Sequence, residues 1–320
     1  MIGSRVADGL PALTLASAAA GGIEATFVPG AGMVGCSLRH RGEELLGQRR
    51  GLRAYVADRA TMGIPLLYPW ANRVGRRRFE VAGREVTIDP EVTPVRLDAD
   101  GLPMHGLLSA ASGWQVERHE ALADGALLGA RFDFAAHEAL MAAFPFAHEL
   151  RFEAALVGST LTITTTVRAS GDGPVPIAFG YHPYLRLPGV AREDWHIEVP
   201  VREQLRLDAQ MLPTGERVDA EVFAGRLGAR TFDDAFVAPA GGAPFVLAGN
   251  DRRIELAFLS GYPYAQVFAP AADDVIAFEP MTAPTNALVD GGSELPLVAP
   301  GESYEAGFAI TLADHLTRSG

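Results

Sequence analysis

The sequence has no lysine; all 27 basic side chains are arginine. Schiff-base catalysis and the phosphate cradle of a P-loop both need a lysine amine, so neither chemistry is open to it. It has a single cysteine, Cys36, which excludes an intrachain disulfide and a cysteine-rich metal site. Neither G-x-G-x-x-G after a strand nor H-E-x-x-H occurs. Positive charge is in deficit: 39 acidic against 27 basic residues give a net charge of −12, which repels nucleic-acid phosphates. No stretch approaches the roughly 18 apolar residues of a membrane span. The opening "MIGSRVADGLPALTLASAAAGG" is interrupted by Asp8, Gly9 and Pro11, so "ALTLAS" reads as a first strand and not as the core of a signal peptide. One cysteine fits a reducing compartment. The expectation is a soluble, cytoplasmic protein with neither membrane nor nucleic acid as partner.

What the sequence has in quantity is two-residue alternation. Apolar residues make up 48% of 320 positions, ample for a large core. In "STLTITTTVRAS" (159–170), Leu161, Ile163 and Val167 fall on one face and Thr160, Thr162, Thr164 and Thr166 on the other. With "HELRFEAALVG" before it, this predicts a hairpin turning at Gly158-Ser159. "RFEVAGREVTID" (78–89) predicts a second hairpin, turning at Ala82-Gly83. "PFVLAGNDRRIELAFLS" (244–260) predicts a third, turning through Gly249-Asn250, and "SYEAGFAITLAD" (303–314) a closing strand. Helical signal is limited to short stretches such as "HEALMAAF" (137–144). Many strands with few helices between them argue an antiparallel all-β fold, read here as one large β-sandwich domain over residues 1–320. A curved polar sheet face could hold a sugar. The alternating threonines fit such a face, and fit plain solvent exposure equally well.

Several residues could carry chemistry. "DVIAFEPM" (274–281) sets Glu279 at the end of an apolar run, as either a solvent-facing strand end or a base held on a rigid strand. Among eight histidines, His105 ("PMHGLL"), His182 ("GYHPYL") and His196 stand out, and Pro183 forces His182 into an extended conformation. His119, His137, His148 and His315 read as packed or solvated side chains. In "YPWANRVGRRRF", Trp70 beside Asn72 and Arg73 suits a sugar site, the ring packing on C–H groups and the polar groups meeting hydroxyls. A buried tryptophan beside a structural salt bridge reads the same stretch equally well. Arg76, Arg77 and Arg78 read as a solvated hairpin face, or else as an anion subsite. Asp233 and Asp234 ("TFDDAFV") point to opposite faces of a strand.

Seven stretches together resemble, in order, the aldose 1-epimerase (mutarotase) family: "ATFVPGAGMVGCSLRHRGEELLG", "PWANRV" with "RFEVAGREV", "MHGLL", "YHPYLRLP", "FDDAFV", "FEPMTAPTNAL" and "VAPGESYEAGFAI". The resemblance implies a large antiparallel supersandwich of the galactose mutarotase type, with a concave sugar-binding face and no cofactor or metal. It implies Glu279 as the base that takes the proton of the anomeric hydroxyl, and His182 as the acid that protonates the ring oxygen. His105 would bond the anomeric region. Arg73 and Asp233 would bind hydroxyls, with Asn72 in support. The expected action is exchange of α and β anomers of a free aldose, with acid and base on opposite sides of the anomeric centre. Gly180-Tyr181 before His182 and Leu185-Arg186-Leu187 after it depart from the galactose-type pattern, so no particular sugar is named.

Rival readings keep the fold or the residues. A hexose-6-phosphate epimerase would use Arg73 with Arg76–Arg78. A glycosidase would pair Glu279 with Asp233 across a separation of about 5–5.5 Å or 6.5–9.5 Å. A sugar-binding protein without catalysis needs no acid/base pair. A metal enzyme is disfavoured, since neither His105 nor His182 has a short-spaced ligand partner. The expected assembly is a monomer or homodimer.

Overall fold

The structure, a computed structural model, describes residues 1–18 and 22–314; His315 lies outside them. The alternation in 148–169 forms the expected hairpin, His148–Val157 against Thr160–Ala169, in unbroken register. These two strands belong to a nine-stranded antiparallel sheet. Its order runs Gln115–Leu122, Gly125–Asp133, His148–Val157, Thr160–Ala169, Ser303–Asp314, Arg252–Ser260, Phe245–Gly249, His196–Val199 and Phe223–Arg226. The predicted closing strand is therefore central, paired to Thr160–Ala169 on one side and Arg252–Ser260 on the other.

The second large sheet has eight strands. In chain order they are β1 (Leu66–Leu67), β2 (Gly180–Tyr181), β3 (Tyr184–Leu185), β4 (Glu203–Leu207), β5 (Pro213–Asp219), β6 (Phe232–Val237), β7 (Tyr264–Ala269) and β8 (Ile276–Met281). They lie in the order β5-β4-β6-β7-β8-β2-β1, with β3 also on β8. The two sheets face each other. Phe278 of β8 stacks on Phe245 at 5.0 Å, and Tyr181 of β2 packs on Phe308 at 5.1 Å. The Tyr181 hydroxyl shares a hydrogen bond with Thr165 at 2.6 Å. Residues alternating with these, Glu279 among them, project from the opposite face of the eight-stranded sheet. A five-stranded sheet over residues 2–44 packs on the same core, Phe27 meeting Phe152 edge-on at 5.5 Å. The main buried cluster draws on residues from Leu15 to Leu312.

Local turn chemistry accounts for the differences from expectation. Asp8 and Gly9, read as an interruption, have φ of 46° and 92° and form the two-residue turn between strands Ile2–Ala7 and Leu10–Ser17. Strand Phe245–Gly249 runs through its glycine, so the third hairpin turns one residue later, at Asn250-Asp251. The hairpin at Ala82-Gly83 and the short helix Glu138–Ala143 lie where predicted; helix Gly51–Asp58 adds to them. The alternating threonines lie on the outer face of the nine-stranded sheet, across from Arg151, Glu153 and Glu305, and not on the sheet that carries Glu279. Among the described residues no helix is long and apolar enough to cross a membrane.

Candidate active site

Strand β8 continues past Glu279 to Met281, so the carboxylate lies within the strand and not at its end. Phe278 anchors the strand in the core, and alternation turns Glu279 to the other face, opposite Gln266 of β7. Glu279 is only 1% exposed. His182 sits between β2 and β3, its backbone N–H donating to the Pro65 carbonyl at 3.2 Å. Its Nε2 lies 3.2 Å from Glu279 Oε1, and both side chains are buried. Tyr184 stacks on the His182 ring at 4.0 Å, and Phe268 meets it edge-on at 5.4 Å.

His105 faces His182 edge-on, ring centres 5.8 Å apart. Its placement depends on an unusual turn. His105 has φ of 64° and Gly106 72°, and a Cβ on Gly106 would lie 2.1 Å from the Tyr68 carbonyl oxygen. The turn docks on the "YPWANR" segment: the His105 N–H donates to the Asn72 carbonyl at 2.8 Å, and the Leu107 N–H to that of Tyr68 at 2.6 Å. Two of the sequence-predicted stretches are thus one packed unit. Arg73 donates from Nε to Asp98 at 2.8 Å. Asp233 accepts from Gln266 Nε2 at 2.8 Å, while Asp234, on the other face, accepts from Gln204 at 2.8 Å.

Burial dominates the electrostatics. It pushes the Glu279 carboxyl well above the usual range; the Asp233 charge adds to this and Arg73 opposes it. Burial, with Arg49 and Arg96 contributing, pushes His182 down to about 3. His105 is likewise held well below its usual value by burial, then by His182 and the arginines Arg96, Arg73 and Arg49. Separate charges are thus disfavoured, and a net-neutral Glu279–His182 pair with one proton between them is favoured. Four buried polar atoms here have no partner among the described residues: His105 Nδ1, His182 Nδ1, Glu279 Oε2 and Gln266 Oε1. Buried polar atoms are ordinarily satisfied, so such a convergence suits a ligand rich in hydroxyls.

Of the sequence-predicted residues, the structure brings together Glu279, His182 and His105, with Asp233 joined through Gln266 and Arg73 felt at Glu279. Trp70 is elsewhere: it is 1% exposed within the main core cluster, so its ring offers no face to a sugar. Asn72 contributes through its backbone carbonyl, its side chain reaching only Met281 Sδ at 3.5 Å. Arg76–Arg78 are exposed, Arg77 bonding the Gly101 carbonyl and Arg78 pairing with Glu85, so they form the solvated hairpin face and no subsite. Glu279 and His182 touch each other, where the expectation set the two on opposite sides of an anomeric centre. Gln266, Phe268, Tyr184 and Arg49 were not singled out as site residues from sequence. Gln266 does carry the same signal as Glu279, a lone polar residue in a buried apolar strand. Three of the remaining described histidines are structural: His148 bonds Tyr68 and the Phe146 carbonyl, His119 the Thr14 carbonyl, and His137 stacks on Phe132, while His196 opens the strand His196–Val199 in the other sheet.

The model of the family described as aldose 1-epimerase matches residues 17–311. No curated protein matches the chain. Among solved structures, a galactose mutarotase-like protein from Clostridium acetobutylicum is similar at TM-score 0.82 and 19% identity, covering 98% of each chain. The Slr1438 protein of Synechocystis sp. PCC 6803 is similar at TM-score 0.75 and 24% identity, covering 97% of this chain and 98% of its own. Galactose 1-epimerase from Lactobacillus acidophilus is similar at TM-score 0.75 and 15% identity, covering 98% of each chain. At these identities the likeness to solved structures establishes the fold, the supersandwich expected from the sequence.

Proposed function

The chain belongs to the aldose 1-epimerase family, and from that premise we propose that it exchanges the anomers of a free aldose, with Glu279 and His182 as base and acid. Glu279 takes the proton from the C1 hydroxyl while His182 gives one to the ring oxygen. The bond between C1 and the ring oxygen breaks, C1 becomes a carbonyl, rotation about C1–C2 presents its other face, and the reverse transfers close the ring.

One observation carries this reading: the buried 3.2 Å contact between His182 Nε2 and Glu279 Oε1. The two oxygens that exchange protons are bonded to the same carbon, so an acid and a base in contact can serve both from one side. The pair passes between imidazolium–carboxylate and imidazole–carboxylic acid, with no net charge in either form. Burial favours the second at rest, so the proton shifts from Glu279 to His182 before Glu279 takes the one from the C1 hydroxyl. Arg73, Asp233, Gln266 and His105 supply polar groups for the remaining hydroxyls. Phe268, only partly buried, takes the place expected for Trp70 as the ring beside the sugar. A protein that only bound sugars would gain nothing from burying such a pair, whose charged forms are costly out of water.

The test is polarimetry on freshly dissolved α-glucose and α-galactose. Wild-type protein is expected to hasten the decay to equilibrium, and Glu279→Gln to lose about 10²–10⁴-fold of that acceleration. No acceleration of either sugar by a folded protein would remove the reading.

A further inference from the structure

The segment before helix Gly51–Asp58 runs beside β3. The Gly47 N–H donates to the Tyr184 carbonyl at 2.8 Å, and the Arg186 N–H to that of Leu45 at 2.9 Å. A Cβ on Gly47 would lie 2.4 Å from Val275 Cγ1 and 3.2 Å from Tyr184 Cβ, so this approach needs a glycine. Two residues on, Arg49 has φ of 45°, a left-handed conformation that is costly for a residue with a Cβ. Such backbone persists where its surroundings fix it, and it gathers at functional sites.

The Arg49 side chain shows what it is fixed for. Its Nη1 donates to the Tyr184 hydroxyl at 3.0 Å, and its Nη2 to Asp273 at 2.9 Å, in the loop that leads into β8. Its guanidinium carbon lies 5.0 Å from the centre of the Tyr184 ring and 5.9 Å from that of Phe268. These are the two rings packed on His182, Tyr184 stacked and Phe268 edge-on. Thr61 adds to the clamp, its hydroxyl sharing a hydrogen bond with that of Tyr184 at 2.7 Å. A functional imidazole is ordinarily oriented by a hydrogen bond at its second nitrogen. Here His182 Nδ1 has no partner among the described residues, so its orientation depends on the packed rings.

We propose that Arg49 is a positioning residue, holding Tyr184 and Phe268 against His182 so that Nε2 stays aimed at Glu279. The proposal rests on the anomer-exchange reading and adds to it a residue that acts through its neighbours. A planar guanidinium can bond two groups at once while lying on a ring, which an ammonium cannot. Arg49 also brings a charge. Glu279 from β8, His105 from its turn and Arg96 from strand Arg96–Leu97 face His182 as well, while Asp233 and Arg73 act on Glu279. After burial, Arg49 does most to hold His182 down, ahead of Arg96. Without it, the pair is expected to take a second proton, on His182, at a higher pH.

The experiment compares wild type, Arg49→Gln, Arg49→Lys, Tyr184→Phe and the double variant Arg49→Gln with Tyr184→Phe. Exchange NMR of glucose anomers gives kcat and KM. Spectra of protein with isotope-labelled histidine, between about pH 4 and 8, follow the His182 ring nitrogens. Arg49→Gln is expected to lower kcat about ten- to a hundredfold and to change KM less than about threefold. Its His182 signal is expected to move toward imidazolium about one pH unit before that of wild type. Tyr184→Phe keeps the ring and frees it from Arg49 and Thr61, so it is expected to lose part of kcat. The double variant is expected to lose no more than Arg49→Gln alone, since both changes open one clamp. Arg49→Lys keeps the charge without the fork, so it is expected to titrate as wild type while recovering only part of kcat. Arg50→Gln, whose side chain pairs with Asp58, is the control and is expected to behave as wild type. Wild-type kcat in folded Arg49→Gln, a rise in KM alone, or a loss of kcat with the His182 signal unmoved would each overturn the proposal while anomer exchange stood. If wild type accelerates no sugar, the spectra decide. A displaced His182 signal in Arg49→Gln would support the positioning role although the exchange reading had failed, and an unmoved one would overturn both.

Discussion

Glu279 is an expensive residue to keep where it is. One carboxyl oxygen meets His182 and the other has no partner among the described residues. Its raised pKa means that, above the ordinary carboxylate range, the unfolded chain releases this proton more readily than the folded one. Stability contributed by the protonated group is complete below the unfolded value near 4.5 and is lost as pH rises toward the folded value. Glutamine has no proton to lose. Glu279→Gln is therefore expected to unfold at a higher temperature than wild type at pH 7–8, with the difference shrinking as pH falls toward about 4.5. Each pH unit across which the group stays protonated in the fold is worth about 1.4 kcal/mol. Thermal unfolding of both proteins over a pH series checks this, and a difference that stays constant with pH would contradict it. His182 works in the opposite direction. Its lowered value costs stability below about pH 6.5, fully so below about 3, so acid should unfold the wild type early.

At the scale of elements, the site is held by a turn and two strands. Gly106 and Gly83 both have positive φ, 72° and 73°, but a Cβ on Gly83 meets nothing within 4 Å while one on Gly106 overlaps the Tyr68 carbonyl. Gly83→Ala is expected to cost about 1–2 kcal/mol for its backbone alone. Gly106→Ala is expected to cost about 1–3 kcal/mol more and to reduce anomer exchange by displacing His105. Urea unfolding and polarimetry on the two variants make the comparison; equal costs would mean that the turn yields without strain. The strands and hairpins were legible because alternation and turn residues are local properties. Glu279, His182 and His105 were legible through ordered motifs. Gln266 and Phe268 were not, because they reach the site only through the register of β7 on β8, which pairs Gln266 with Glu279. Trp70 misled for the same reason: Asn72 and Arg73 follow it closely in sequence, but its bridge to Ala178 sets it among core residues.

For the whole molecule, the decisive arrangement is the strand Ser303–Asp314 at the middle of the nine-stranded sheet. Its inward residues Phe308 and Ile310 are fully buried, and Phe308 reaches across to Tyr181, next to His182. Loss of a terminal segment is often tolerated when it carries few contacts. Here a chain stopped after residue 302 is expected to have no cooperative unfolding transition and no anomer-exchange activity, as circular dichroism with heating and polarimetry would register. A folded, active shortened chain would mean that the sheet closes without its centre.

The same placement sets an order on biosynthesis. Translation delivers Thr160–Ala169 and Arg252–Ser260 long before the strand that joins them, so each leaves the ribosome with an unpaired flank. Such open edges are where chains cross-pair and aggregate. The nascent protein must therefore wait with its largest sheet in two halves, and its yield in a cell should depend on how well those two edges are shielded until residues 303–314 emerge.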